Sequence, residues 1–266
     1  MCLRDPVRTG TFAAGLLQAV QHARRQFPSE RIRVLYAGTG PFATLSLLCC
    51  PFLSPAEVGF TVLDVHQNSL DQVRRIYDAL EYHSFIDDLV CADVTSWEHD
   101  GPPFHVAVAE VMQRALMKEP QVAVTGQICS MLHPKGLLVP QRIALELSLF
   151  DITAEFDPET GWKGPGQRMS LGTLFELTRD TSVHASGRNE IPLGTITAPT
   201  GKSFEDLQVL THITTFDDIE LAENASGLTT VHSARLRDEL AEKHSLHVSY
   251  RLGKTPGLVF TDKSSF

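Results

Sequence analysis

The run Arg33-Val34-Leu35-Tyr36-Ala37-Gly38-Thr39-Gly40-Pro41-Phe42, followed by Val62-Leu63-Asp64-Val65, limits what this chain can fold into more than any other feature. An apolar stretch with the character of a buried strand ends in Gly38-Thr39-Gly40, a tight turn opening a helix, and the next strand closes on Asp64. Glycines let the backbone bend sharply and come close to a ligand, and an acid at the end of the second strand receives ribose hydroxyls. The combination points to a nucleoside site. The alternative is an α/β turn that holds no ligand.

The rest of the first half repeats the strand–helix alternation. Residues 11–27 suit an amphipathic helix capped by Thr11, with Phe12, Leu16, Leu17 and Val20 as its apolar positions. Strands are expected at 32–37, 59–65, 86–94 and 104–111, and helices at 43–50, at 69–85 with Ser69 as cap, and at 121–132. Residues 136–149 form a long, apolar, β-rich run. Such alternation implies an α/β unit with a Rossmann-like, doubly wound, mostly parallel sheet over 1–150. Beyond Asp151 the character changes. A loop punctuated by Pro158, Gly161, Gly164, Pro165 and Gly166 is followed by a short helix at 171–178. β-type runs then occupy 191–196, 207–215, 228–236, 246–252 and 258–261, the last two joined by the hairpin-like 253–257. Residues 151–266 are therefore expected to form a smaller antiparallel β-rich domain, barrel- or sandwich-like, acting as substrate domain or lid.

Bulk properties exclude several classes. A formal charge of −9 is unlike a nucleic-acid groove, which needs a basic face, so no nucleic acid is expected. The longest apolar run, 45–53, is far short of the ~20 residues that cross a bilayer, and no apolar signal core follows Arg4 and Asp5; no membrane is expected. Five cysteines (Cys2, Cys49, Cys50, Cys91 and Cys129) lack paired zinc spacing, and none of the 11 histidines, His244 and His247 included, sits in a ligand pattern. This indicates a reducing cytoplasm and no metal.

Three further segments carry a resemblance to a known family. Asp5-Pro6-Val7-Arg8-Thr9, within Met1 to Phe12, resembles the Asp-x-Val-Arg-Thr segment that precedes the glycine turn in protein arginine methyltransferases. Glu110-Val111-Met112 with Glu119 is similar to that family's double-glutamate loop, and Gly136-Leu137-Leu138-Val139-Pro140-Gln141-Arg142 to its closing strand. The resemblance implies a class I methyltransferase domain binding S-adenosyl-L-methionine. Arg8 would meet the carboxylate, Gly38, Thr39 and Gly40 the backbone-facing side, Asp64 the ribose, and Asp93 and Val94 the adenine edge, with Met112 in register beside them. For Asp93 the competing reading is a helix cap. Glu110 and Glu119 would hold an acceptor guanidinium by charge-assisted hydrogen bonds and aim one nitrogen at the methyl group.

The chain also departs from the family. Tyr36 stands where an acid is usual and Phe42 where a third glycine is expected, so either ring could face the sulfonium or pack in the core. No Thr-His-Trp loop is present, and the stretch that would form a dimerisation arm, 178–191, is short, although a homodimer fits the resemblance. The leading expectation is methyl transfer to a guanidino or amino nitrogen of a small-molecule acceptor. The alternatives are transfer or cyclisation of the aminocarboxypropyl group with release of methylthioadenosine, and a catalytically silent methyltransferase-like binding protein.

Overall fold

The computed structural model describes residues 4–166, 168–182, 188–197, 206–234 and 245–262, and the side chains of Ile152, Asp206 and Asp262 are not among those described. Its first sheet contains β1 (Ile32–Ala37), β2 (Val58–Asp64), β3 (Ile86–Cys91), β4 (Phe104–Ala109) and β5 (Leu132–Val139). They run in the order β3-β2-β1-β4-β5, all parallel. Every residue of β2 and β4 is buried, as expected of inner parallel strands covered on both faces.

Alternation along β1 divides the core. Ile32, Val34 and Tyr36 join the layer containing α1 (Pro6–Gln26), α2 (Thr44–Cys49) and α3 (Gln67–Ala79), while Leu35 and Ala37 join the layer containing α4 (Gln121–Ser130). This is the period-two geometry of a strand with helices on both sides. The Rossmann-like, doubly wound α/β half is thus present, followed by antiparallel sheets.

The antiparallel half begins with β6 (Arg142–Phe150), earlier than the change of composition at 151 suggests, because β6 pairs along most of its length with both β9 (Arg168–Thr178) and β11 (Asp206–Phe216). A small hairpin, β7 (Phe156–Asp157) with β8 (Gly161–Trp162), lies between. The second sheet adds β12 (Ile219–Leu221) and β13 (His232–Ser233) on β11. A third joins β10 (Glu190–Thr197), β14 (Ser245–Arg251) and β15 (Gly257–Asp262). Phe175 of β9 stacks on Tyr250 of β14 with ring centroids 5.3 Å apart, and Arg168 is held between Glu155 and Glu223.

Several expected elements are corrected. Residues 171–178 are strand, not helix: Leu171, Leu174 and Phe175 have helical spacing, but pairing with β6 overrides it through two bulges. The first helix starts at Pro6 rather than Thr11, with Asp5 as its cap, and Thr11 donates its hydroxyl to Val7 O instead. The third helix starts at Gln67, and Ser69 caps nothing because it lies within the first turn. Of the run 228–236, only His232–Ser233 is strand; residues 235 and 236 lie outside the described residues, as do Met1, Cys2, Leu3, His244 and residues 183–187 of the presumed arm.

Helix α1 joins the two halves. Phe12, Leu16, Ala19, Val20 and Ala23 are buried along one face, and the helix packs against β5 of the first sheet and β11 and β12 of the second. Gly15 permits that approach: a methyl group there would stand 2.5 Å from Thr215 Oγ1, whose residue is fully buried. Gly15→Ala separates two effects of opposite sign. Helix propensity favours alanine by about 1 kcal/mol, whereas overpacking costs ~1–3 kcal/mol. The expected result in urea denaturation is net destabilisation; a gain in stability would show that α1 and β11 do not sit this close.

Candidate active site

The glycine turn leaves β1 with backbone angles in the left-handed region, φ +72° at Gly38 and +58° at Gly40. A Cβ at Gly38 would lie 2.1 Å from Val111 Cγ1, while one at Gly40 would meet nothing within 4 Å. Gly38 is therefore required for packing, and Gly40 leaves open space. Asp64, 6% exposed, closes the turn from the neighbouring strand: its Oδ2 accepts Gly40 N–H at 2.8 Å and its Oδ1 accepts His66 N–H at 2.9 Å. A carboxylate has about four acceptor positions, so roughly two remain open. Thr39 is buried and donates its hydroxyl to Gly40 O.

The second component is the start of α1. Asp5 Oδ1 accepts Arg8 N–H at 3.0 Å, and Oδ2 accepts Ser226 Oγ–H at 2.6 Å and Gly227 N–H at 3.0 Å. One carboxylate thus caps the helix and pins the second half to it. Burial opposes its ionisation, but the hydrogen bonds from Ser226, Arg8 and Gly227, with the charge of Arg8, hold its carboxyl below the usual range. One helical turn on, Arg8 forms an ion pair with Glu110, the side chains being 13% and 7% exposed. Arg8 Nε is buried and has no hydrogen-bond partner among the described residues.

Glu110 opens the loop after β4, and that loop is fixed from several sides. Gln121, 1% exposed, accepts Val111 N–H at 2.9 Å and donates to Ala109 O at 3.1 Å and to Thr125 Oγ1 at 3.2 Å. Further along, Ala115, Leu116 and Lys118 have φ of +56°, +52° and +68°, a conformation that disfavours residues with a Cβ. The second half holds them there. Thr211 Oγ1 accepts Ala115 N–H at 2.9 Å, Tyr250 O–H donates to Leu116 O at 2.6 Å, and Lys118 N–H donates to Pro256 O at 3.0 Å. Glu119, half-buried at the loop's end, accepts Gln113 Nε2–H at 3.0 Å.

These elements enclose two adjoining clefts that share Arg8, Gly38, Gly40 and Glu110. The smaller, about 280 Å³, is walled by Phe12, Tyr36, Thr39, Pro41, Phe42 and Leu45. The larger, about 640 Å³, adds Asp64, Met112, Gln113, Arg114, Lys118 and Glu119, with Gly227, Leu228 and Thr230 from the second half. The structure thereby brings together Arg8, Tyr36, Gly38, Thr39, Gly40, Phe42, Asp64, Glu110, Met112 and Glu119. Asp93 and Val94 line neither cleft. Asp93 accepts the backbone N–H and the hydroxyl of Thr95, turning the chain after β3, where no helix follows; Val94 is packed among Leu63, Ala37 and Leu35.

Sequence reasoning missed Asp5 as cap, Gln121, Thr211 and Tyr250. Only Asp5-Pro6 carried a local signal, the cap followed by proline at the first helical position. No cluster of three metal-ligating side chains occurs among the described residues, and no described helix is long and apolar enough to cross a membrane. Burial pushes the Cys49 and Cys50 thiols up to about 12, so neither is a nucleophile at neutral pH.

No protein-family model and no curated protein sequence matches this chain. Solved structures do. Protein arginine methyltransferase 10 of Arabidopsis thaliana superimposes with a TM-score of 0.61 at 12% identity, over 94% of this chain and 85% of that one. The chain has the fold of the protein arginine methyltransferases. The Trypanosoma brucei PRMT1 enzyme–prozyme heterotetrameric complex with AdoHcy gives a TM-score of 0.59 at 13% identity, over the same 94% and 85%.

Asp5 supplies a pH test of how the halves of this arginine-methyltransferase-like fold are joined. Its folded pKa lies below the unfolded value, about 3.9, so its contribution is fully present above that value and is lost as pH falls through the lower folded one. Asp5→Asn should be less stable than wild type at pH ~6, with the gap closing below pH ~4; urea midpoints across that range measure it.

Proposed function

We propose that this chain is an S-adenosylmethionine-dependent methyltransferase acting on a guanidino or amino nitrogen of a small-molecule acceptor. The observation that carries this reading is the Arg8–Glu110 pair, which forms the common wall of both clefts. Among the described residues that line the smaller cleft these are the only charged ones, so one cation and one anion face an otherwise uncharged, mostly apolar space. That arrangement complements the carboxylate and ammonium of an amino acid. The AdoHcy complex of the trypanosomal neighbour supports the same class of cofactor.

The residues fit the cofactor's remaining groups as well. The open side of Gly40 admits a ligand against the backbone, and the unused acceptor positions of Asp64 suit a ribose diol. When bound, S-adenosylmethionine would supply an electrophilic methyl group: a nitrogen–carbon bond forms as the sulfur–carbon bond breaks, and the bonding pair stays on sulfur. Glu110 and Glu119 border the same larger cleft and would accept hydrogen bonds from the acceptor's N–H groups, fixing its rotation. Their charge also favours positive charge growing on that nitrogen, which passes one N–H proton to water. Gly227, Leu228 and Thr230 of the second half also line the cleft.

Incubation with S-adenosylmethionine and a panel of guanidino and amino acceptors should yield S-adenosylhomocysteine and a methylated product. Methylthioadenosine in its place would mean aminocarboxypropyl chemistry, and tight binding without any product would mean a silent protein. Glu119→Gln removes a charge-assisted hydrogen bond worth about 1.5–3 kcal/mol, so kcat/KM should drop roughly 10- to 100-fold while calorimetric affinity for S-adenosylhomocysteine holds within about twofold. Glu110→Gln should do more damage, since it also leaves Arg8 without its carboxylate partner; a thermal melt of each variant separates that from unfolding.

A further inference from the structure

The larger cleft contains a charge pattern that methyl transfer to a nitrogen does not use. Its most withdrawn charged groups are Asp64, which accepts two backbone N–H groups, and the Arg8–Glu110 ion pair, while the half-buried Glu119 accepts one hydrogen bond from the Gln113 amide and keeps further acceptor positions. At its mouth stand two exposed cations, Arg114 and Lys118, and among the described residues neither side chain has an ion-pair partner. Both are on the loop that carries the two glutamates, and the strained left-handed backbone at Ala115, Leu116 and Lys118 is held by Thr211, Tyr250 and Pro256. The more withdrawn groups, three acids against the one cation Arg8, carry net negative charge and the exposed pair is positive, so the net charge changes sign toward solvent.

We propose that the acceptor is zwitterionic, a guanidino or amino compound bearing a carboxylate or another anionic group, with the nitrogen directed to Glu110 and Glu119 and the anion met by Arg114 and Lys118. This rests on the methyltransferase reading of the same site and narrows its substrate class. Arginine presents a planar donor fork and lysine a mobile point charge, so the pair reads the sign of the distal group strongly and its shape weakly. A neutral distal group leaves both cations solvated, and a cationic one is repelled.

Three probes of matched length decide the matter: γ-guanidinobutanoate, butylguanidine and agmatine. The expected order of kcat/KM is guanidino acid first, neutral alkylguanidine about tenfold lower, on the scale of two partly exposed ion pairs, and agmatine lowest. Arg114→Gln with Lys118→Gln should bring the ratio between the first two close to unity. Arg114→Glu should reverse the order in favour of agmatine, an effect that general loss of structure would not produce. Equal rates on all three probes, or a preference unchanged in the double variant, would overturn the proposal. Equilibrium dialysis of the same probes with S-adenosylhomocysteine present keeps the two readings apart. A binding preference without turnover supports the zwitterion and sinks the methyltransferase, turnover without preference does the reverse, and neither binding nor turnover sinks both.

Discussion

A buried ion pair sets the terms for this molecule. Arg8 and Glu110 come from segments a hundred residues apart, one in the first turns of α1 and one just past β4, and both side chains are largely withdrawn from water. Taking two charges out of water is expensive, and their attraction offsets that cost only when the geometry is held. The surroundings do the holding. Asp5 caps the helix that carries Arg8 and ties it to Ser226 and Gly227; Gln121 grips the backbone on both sides of Glu110. Such a pair is weak evidence for stability in itself. Its position as the wall between two clefts makes more sense of it, since a guanidinium and a carboxylate fixed in register are what a charged ligand would otherwise have to organise.

The same logic explains why the parallel sheet is followed by so much antiparallel structure. The loop from Glu110 to Glu119 would not keep three non-glycine residues at positive φ on its own, as each costs roughly 1 kcal/mol or more. Contacts from β11, from β14 and from the turn before β15 hold it in that shape. Strain in the loop and rigidity in the second half are therefore one feature. The acceptor-orienting role proposed above would call for such support, since orientation to within a fraction of an ångström needs elements that cannot relax.

How much of this could be read from the chain depended on how local each cause was. The strand–glycine–strand–Asp64 unit was legible because its parts are adjacent and each has few other uses: a buried apolar run, two glycines at positive φ, an acid at a strand end. The double-glutamate loop was legible only through resemblance, and its fixation by Thr211 and Tyr250 was not legible at all, since those contacts span about a hundred residues or more. Residues 171–178 were misread because Leu171, Leu174 and Phe175 repeat at helical spacing, while what decides their state is a partner strand some thirty residues earlier. The start of α1 was misjudged differently: the apolar repeat begins at Phe12, but Asp5-Pro6 had already begun the helix before it became amphipathic. Asp93 is an acid in the expected place; its Oδ1 accepts from Thr95 in the turn that follows β3, and it lines neither cleft.

The two departures from the family pattern look different once the strand alternation is known. Position 36 lies on the face of β1 that packs against α1 and α2, beside Phe12 and Leu45, so an acid there would sit in apolar surroundings; Tyr36, 4% exposed, fits its body into that layer. Phe42 stands at the other extreme, 41% exposed at the end of the turn, so its ring borders the smaller cleft rather than filling it. Neither substitution closes the cavity. Tyr36 in place of an acid leaves Glu110 as the one carboxylate among the described residues that line the small cleft. One glutamate then faces the helix-borne arginine on one side and opens onto the larger cleft on the other. A ligand charge that drew on Arg8 or Glu110 in one cleft would therefore change what the pair presents to the other.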